Sequence, residues 1–452
     1  MPPNVPDAGY SEGRILIAGA GLAGMAAAAA LVSAGFRVTL FEAKGHLGGR
    51  ACSYPLEPGK DASPVIDNSQ HILLGCCVNL MDFYRRLGVA AKIRFFREYS
   101  FIEPGGRVSV LKPGRLPAPW SLAASFSRLR FLSLASKWAV ARALAAIRRE
   151  YGRDSNLDAI TMDAWLRQNS QPDEAIARFW RPVIVSAVNA APEAVSAAAG
   201  LKIFRLAFLG EPQNYELGVP SVPLGELYQL RTLEGASRIE LRLRARVDRV
   251  ALAAGRAIGF ISGGELHPAD ACILALPFEQ ILKVAPELGI DASRFRHSPI
   301  TGIHLWFDQP PAILPHAALL DRTIQWFFSK NGGRYVQLVV SASHALTHLL
   351  RNDVIALALR ELSEFFPAAR RAKPLRAHVV KELRATFEPA PGLEAARPES
   401  RTGIDGLFLA GDWTRTGWPA TMEGAVRSGY LAAEAVLARL GAPRRFLLPD
   451  PV

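Results

Sequence analysis

The chemistry-bearing residues of this chain begin with Gly19-x-Gly21-x-x-Gly24. The first glycine permits a tight turn, the second lets a pyrophosphate approach the backbone, and the third lets helix and strand pack closely. At a helix start, phosphates meet free N–H groups and the positive end of the dipole. Glu42 follows 18 residues after Gly24. Its carboxylate can accept from ribose hydroxyls and would repel a 2′-phosphate, which disfavours NADP. Gly48-Gly49-Arg50 comes next. Two glycines admit a close backbone approach, and Arg50 can neutralise a pyrophosphate or reach a flavin edge. NAD needs no such extension, so the expectation turns to FAD. The plainer readings are a packing turn for the first motif and a surface turn for the second.

A second constellation lies nearly four hundred residues on. Leu407-Phe408-Leu409-Ala410 runs into Gly411-Asp412-Trp413-Thr414, and then comes Gly417-Trp418-Pro419-Ala420-Thr421-Met422-Glu423-Gly424-Ala425. Asp412 can hold the hydroxyls of a ribityl chain. The helix start at Thr421 and Met422 can place N–H groups on a flavin pyrimidine. An ordinary strand–turn–helix crossover is the alternative. The nine histidines show no metal spacing, and no metal site is expected. Cys76 and Cys77 read as packing residues, and none of the four cysteines forms a Cys-x-x-Cys pair.

The elements that must position these residues follow. A strand Ile15–Ala18, a turn, a helix Leu22–Ala34 and a strand Arg37–Glu42 form one βαβ unit. Ile15–Phe36 is apolar enough to suggest a membrane span, but the glycine turn inside it argues for a buried strand and helix. Residues 80–235 read as short Pro-punctuated strands and then helical stretches, Trp120–Arg149 and Met162 onward. Ile239, Leu241, Leu243, Ala245 and Val247 alternate with polar residues, as in a half-buried strand. Ala271–Leu276 is a buried strand ended by Pro277. Strands are expected at Ile303–Phe307, Gln325–Phe328 and Tyr335–Val340. Helices are expected at Asn352–Phe366, ended by Pro367, and at Thr421–Leu440. The fold class is α/β, a Rossmann-like FAD-binding domain of GR2 type with an inserted α+β substrate domain. The boundaries are 1–79, 236–284 and 391–452 for the FAD-binding pieces, and 80–235 and 285–390 for the insert.

At 452 residues and half hydrophobic, the chain is long enough for two or three domains. Few cysteines fit a reducing compartment. The first thirteen residues lack a basic region before an apolar run, which argues against a secretory signal. The net charge of +12 suggests an acidic partner or an Arg-rich background. Pro104–Arg149 contains no Asp or Glu and nine Lys or Arg, among Trp120, Phe126, Leu129, Phe131, Leu132, Leu134 and Trp138. This mixture suits a membrane surface, and equally a solvated helix face over an apolar core. No nucleic-acid module is present.

Together, Gly19/Gly21/Gly24, Glu42, Gly48-Gly49-Arg50 and Ala410-Gly411-Asp412 resemble the flavin amine oxidase and phytoene desaturase superfamily. Asp67-Asn68-Ser69-Gln70-His71-Ile72-Leu73-Leu74-Gly75-Cys76-Cys77, Asn79-Leu80, Phe83–Gly88, Trp180-Arg181-Pro182, Ala187–Ala190 and Gly417–Ala425 look like the squalene-associated FAD-dependent desaturases within it. At Ser69 those motifs usually carry Gly.

That resemblance implies Gln70 and His71 near the flavin ring, Val247 against adenine, and Gln70, His71 and Trp418 as candidate catalytic residues. For His71 a buried core histidine is the competing reading. The implied reaction is that of a hydroxysqualene dehydroxylase: reductive loss of an allylic hydroxyl to give squalene for hopanoids. An acid, with His71 as candidate, would help the hydroxyl leave, and reduced flavin would be the hydride source. At roughly 0.8 kcal/mol per buried carbon, a triterpene of about thirty carbons leaves lipid for water at a cost on the order of 20 kcal/mol. The chain is therefore expected to carry a long apolar tunnel opening near residues 104–149. It is expected to be cytoplasmic, peripheral to the inner face of the cell membrane, with squalene-synthase-like enzymes as further partners. The rivals are an oxidative carotenoid desaturase or amine oxidase, and a non-enzymatic flavin-binding lipid carrier.

Overall fold

The structure is a computed structural model and describes residues 13–57, 59, 63–116, 120–151 and 156–451. At its centre is a five-stranded parallel sheet, in the order Ile239–Leu243, Arg37–Glu42, Arg14–Ala18, Ala271–Leu274 and Leu407–Leu409. Continuous apolar runs such as Ile15–Ala18 and Ala271–Leu274 belong here because both sheet faces are covered. Helices Leu22–Ser33 and Met422–Arg439 cover one face. The antiparallel hairpins of Arg249–Ala253, Arg256–Ser262 and Glu265–Pro268 lie over the other. The alanines Ala26–Ala30 are fully buried, so two helices approach through small residues. A Cβ on Gly429 would sit 2.2 Å from the Ala23 carbonyl oxygen.

The second sheet has seven strands, in the order Pro374–Phe387, His297–Phe307, Tyr335–Ser341, Trp326–Lys330, His316–Leu319, Tyr99–Ile102 and Val108–Leu111. Strand alternation sends Ile303, Leu305, Val336 and Leu338 against helix Arg351–Phe365. Gly302, His304, Gln337 and Val339 take the other face, toward the flavin-side loops and the helical layer of residues 120–208. That layer has its own core around Trp165, Phe179, Trp180 and Phe204. Ile15–Phe36 is a buried strand, turn and helix, and among the described residues no helix is long and apolar enough to cross a membrane.

Two expectations are corrected. The helical stretch Trp120–Arg149 is broken, with helices at Ala123–Ser127 and Leu134–Glu150. The break sends Leu129, Phe131 and Leu132 into the core. Ser133 then restarts the helix, its hydroxyl accepting from the Ser136 N–H. The alternation Ile239–Val247 is not one strand. It ends at Leu243, at the sheet edge, with Leu241 and Leu243 exposed. Arg244 adopts φ +54°, and the Ala245 N–H donates to the Glu42 carbonyl, turning the chain across the strand ends.

Candidate functional site

A cavity of about 1360 Å³ runs from the Gly19–Gly24 turn to the strands Tyr99–Ile102 and Val108–Leu111. It exceeds a usual site for one small ligand, about 300–1,000 Å³, so it has room for a dinucleotide and a second molecule. The glycines at its head fit that use. Gly19 has φ +101°, and a Cβ there would lie 2.4 Å from the Ala275 carbonyl oxygen. A Cβ on Gly24 would lie 1.9 Å from the Gly19 oxygen, so helix and turn close only without side chains. Helix Leu22–Ser33 begins at Gly21 with no side-chain cap. Its first N–H groups therefore remain for an anion. Glu42 accepts from the Ala20 N–H at 2.9 Å and the Lys44 N–H at 2.8 Å, which fixes its carboxylate on the cavity wall. Ala245, Arg246 and Val247 line the same end.

Arg50 does not stand free for a pyrophosphate. Its guanidinium donates to Asp412 at 2.5 Å and to the Ala385 carbonyl at 3.2 Å. The pair joins the N-terminal and C-terminal motifs across 362 positions, and both residues line the cavity. At Gly411, φ is +138° and a Cβ would meet the Trp413 indole nitrogen at 2.5 Å. The Thr421 hydroxyl caps helix Met422–Arg439, accepting from the Gly424 N–H, while Thr421 and Met422 border the cavity. The expected cofactor residues other than Gly24, which packs beneath the turn, line this one space, and their donors and glycine clearances fit an FAD. Among the described residues no metal-type cluster of His, Cys, Asp or Glu occurs.

Asn68–His71 forms the adjoining wall. The Gln70 amide donates to the His71 carbonyl, which leaves its buried Oε1 without a partner. Ser69 needs no glycine, because its φ is not positive. The close approach is made by Gly302 instead, where a Cβ would lie 3.0 Å from the Asn68 carbonyl oxygen. Asn68 Oδ1 accepts from the Cys52 N–H and so takes the proton of His71 Nε2 at 3.0 Å, leaving Nδ1 as the ring's acceptor. Burial, opposed by Asp67 and reinforced by Lys330, lowers His71 to about 4. Its imidazole is therefore uncharged near neutrality. In this state His71 offers the Nδ1 lone pair rather than an acidic proton. The Trp418 indole N–H donates to Asp450 at 2.7 Å, so Trp418 serves the cavity as an apolar wall.

Lys202 is a group the sequence did not single out. It lines the cavity from helix Ala197–Ile203, bonds Asp450 at 2.7 Å and lies 5.2 Å from the Trp418 ring centre. Burial lowers its pKa, with Asp450 opposing. A lone lysine in an alanine-rich run carries no sequence signal, because its partner is 248 positions away. Elsewhere the walls are mainly apolar, with Phe101, Leu111, Phe179, Trp326, Phe328 and Val339 among them.

The comparisons with known proteins agree with this geometry. Residues 22–437 match the model of the family described as flavin containing amine oxidoreductase. A hydroxysqualene dehydroxylase of Sinorhizobium fredii is 29% identical, covering 94% of this chain and 98% of the relative. A 15-cis-phytoene desaturase of an Oncidium hybrid cultivar is 27% identical, over 94% of this chain and 78% of its own. Among solved structures, putrescine oxidase bound to putrescine superposes with TM-score 0.70 at 16% identity, covering 94% of this chain and 99% of the other. Cyclohexylamine oxidase from Brevibacterium oxydans does so with 0.69 at 17%, covering 95% and 100%. Those two likenesses speak for the fold.

Proposed function

This chain belongs to the flavin containing amine oxidoreductase family, and on that premise we propose that it is an FAD-dependent reductase of hydroxysqualene-type allylic alcohols. It is a flavin oxidoreductase with FAD as cofactor. The observation that carries the finer reading is the single cavity. It joins the dinucleotide cradle to long, mainly apolar walls, with Gln70, His71 and Lys202 among its polar lining groups. The nearly end-to-end match to a hydroxysqualene dehydroxylase supports it.

Reduced FAD, when bound, supplies the hydrogen and electron pair of the new C–H bond. The chain's residues do the rest. Gly19–Gly24, Glu42, Arg50, Asp412 and the helix starts hold the cofactor. The apolar walls exclude water from the reacting carbon. Lys202 donates a proton from Nζ to the hydroxyl oxygen, the C–O bond breaks, and water leaves. Burial makes that proton more available than an ordinary lysine's. His71 Nδ1 accepts the substrate O–H and orients it.

An amine substrate fits less well. The Trp418 ring, which an aromatic cage would offer to a cation, is buried and already carries the Lys202 ammonium at 5.2 Å and the Arg427 guanidinium at 5.7 Å. Phytoene desaturases match with comparable identity, so the test has to separate oxidation from reduction. Anaerobically reduced holoprotein should convert hydroxysqualene to squalene and regain the oxidised-flavin absorbance. Oxidised holoprotein should leave phytoene and amines unchanged. Desaturation of phytoene with hydroxysqualene untouched overturns the reading. A flavin that stays reduced beside bound hydroxysqualene indicates a carrier.

A further inference from the structure

We propose that the surface around residues 120–142 docks on the headgroup layer of an anionic bilayer, with Leu134 and Trp138 entering it. The segment's large apolar residues divide into two sets. Leu129, Phe131 and Leu132 are buried, whereas Trp120, Leu134 and Trp138 are 64%, 78% and 74% exposed. Leu134 and Trp138 are one turn apart on helix Leu134–Glu150, and exposed Ala141 and Ala145 continue the same stripe. A core helix would bury that stripe. Here it faces outward between exposed Arg128, Arg130 and Arg142. The Lys137 ammonium donates to the Ser127 carbonyl at 2.8 Å, holding the helix against the turn that carries Arg128 and Arg130.

The occupant follows from charge and shape. Residues 104–149 hold no carboxylate. Interleaved arginines and bulky apolar tips suit anionic headgroups over acyl chains. A second copy of the chain pressed on this face would set like charges against each other. The face also packs against residues that line the cavity. Phe126 packs on Phe179, ring centres 5.6 Å apart, and Phe179 is a cavity wall. Arg178 donates to the Phe131 carbonyl and pairs with Asp321, which borders the cavity. Docking rests on this surface alone; its purpose, taking a lipid substrate from the bilayer, rests on the proposed reaction.

The test is flotation of the FAD-loaded full chain with phosphatidylcholine vesicles, with and without phosphatidylglycerol. The wild type should float with the anionic vesicles and be released by high salt. Leu134→Ser/Trp138→Ser and Arg128→Glu/Arg130→Glu/Arg142→Glu should each weaken binding about tenfold or more while keeping the flavin spectrum. Both variants should turn over detergent-dispersed hydroxysqualene normally and lose rate only on vesicle-borne substrate. Wild type that ignores both vesicle types, or variants that bind unchanged, overturns the proposal. So does a wild-type oligomer that Leu134→Ser/Trp138→Ser converts to monomer without affecting flotation, because the face would then join copies of the chain. Absence of all turnover alongside normal flotation strikes the reaction and not the docking.

Discussion

At the scale of single residues, the site is set by who holds each polar group. Lys202 answers to Asp450, and His71 answers to Asn68. Lys202→Met should lower the rate of hydroxyl loss about a hundredfold or more, within the range of general acid catalysis. Lys202→Arg should keep substrate binding but lose most of the rate, since a guanidinium does not give up its proton. In the wild type the rate should fall on an alkaline limb as Lys202 deprotonates, at a pH below that of an ordinary lysine. A pH–rate profile that Lys202→Met leaves unchanged assigns the proton elsewhere. Glu42 makes a separate prediction. Glu42→Ala removes an acceptor clamped by two backbone N–H groups. It should weaken FAD binding about tenfold or more, read as flavin lost on gel filtration.

At the scale of elements, the close contact between helices Leu22–Ser33 and Met422–Arg439 depends on Gly429. Gly429→Leu should destabilise the protein by about 3 kcal/mol and release flavin, because both helices carry cofactor groups at their starts. A denaturation midpoint equal to wild type argues against that packing. The βαβ opening was legible in the sequence because apolar runs, glycine spacing and Glu42 are all local signals. The cradle residues were legible for the same reason. What escaped was set by distant partners. Nothing near Arg50 announces Asp412, and nothing near Lys202 announces Asp450. The exposed leucines of Ile239–Leu243 obey an edge position that alternation alone does not reveal. Ser133 ended a helical reading through a capping preference that a purely apolar pattern ignores.

At the scale of the whole molecule, three histidines are folded in without charge. Burial lowers His71 and His316 to about 4 and His304 to about 3. An unfolded chain protonates them near 6.5. Their folded values are depressed, so the unfolded state takes up more protons between about 6.5 and 3. Stability is full above that window and falls as pH drops through it. Thermal melts of the apoprotein should therefore decline below pH 6.5, and His316→Phe should flatten that decline. An equally steep slope in the variant would show that His316 takes no part.

The parallel sheet gathers its strands from three remote stretches of chain, and its last strand, Leu407–Leu409, leads directly into Asp412. During synthesis, then, the first motif emerges long before the carboxylate that completes its partner pair. A ribosome-tethered chain stalled ahead of Leu407 would expose the glycine turn yet retain no flavin. Loading of the coenzyme is in this way coupled to closure of the sheet, and availability of riboflavin should govern how much finished protein survives proteolysis.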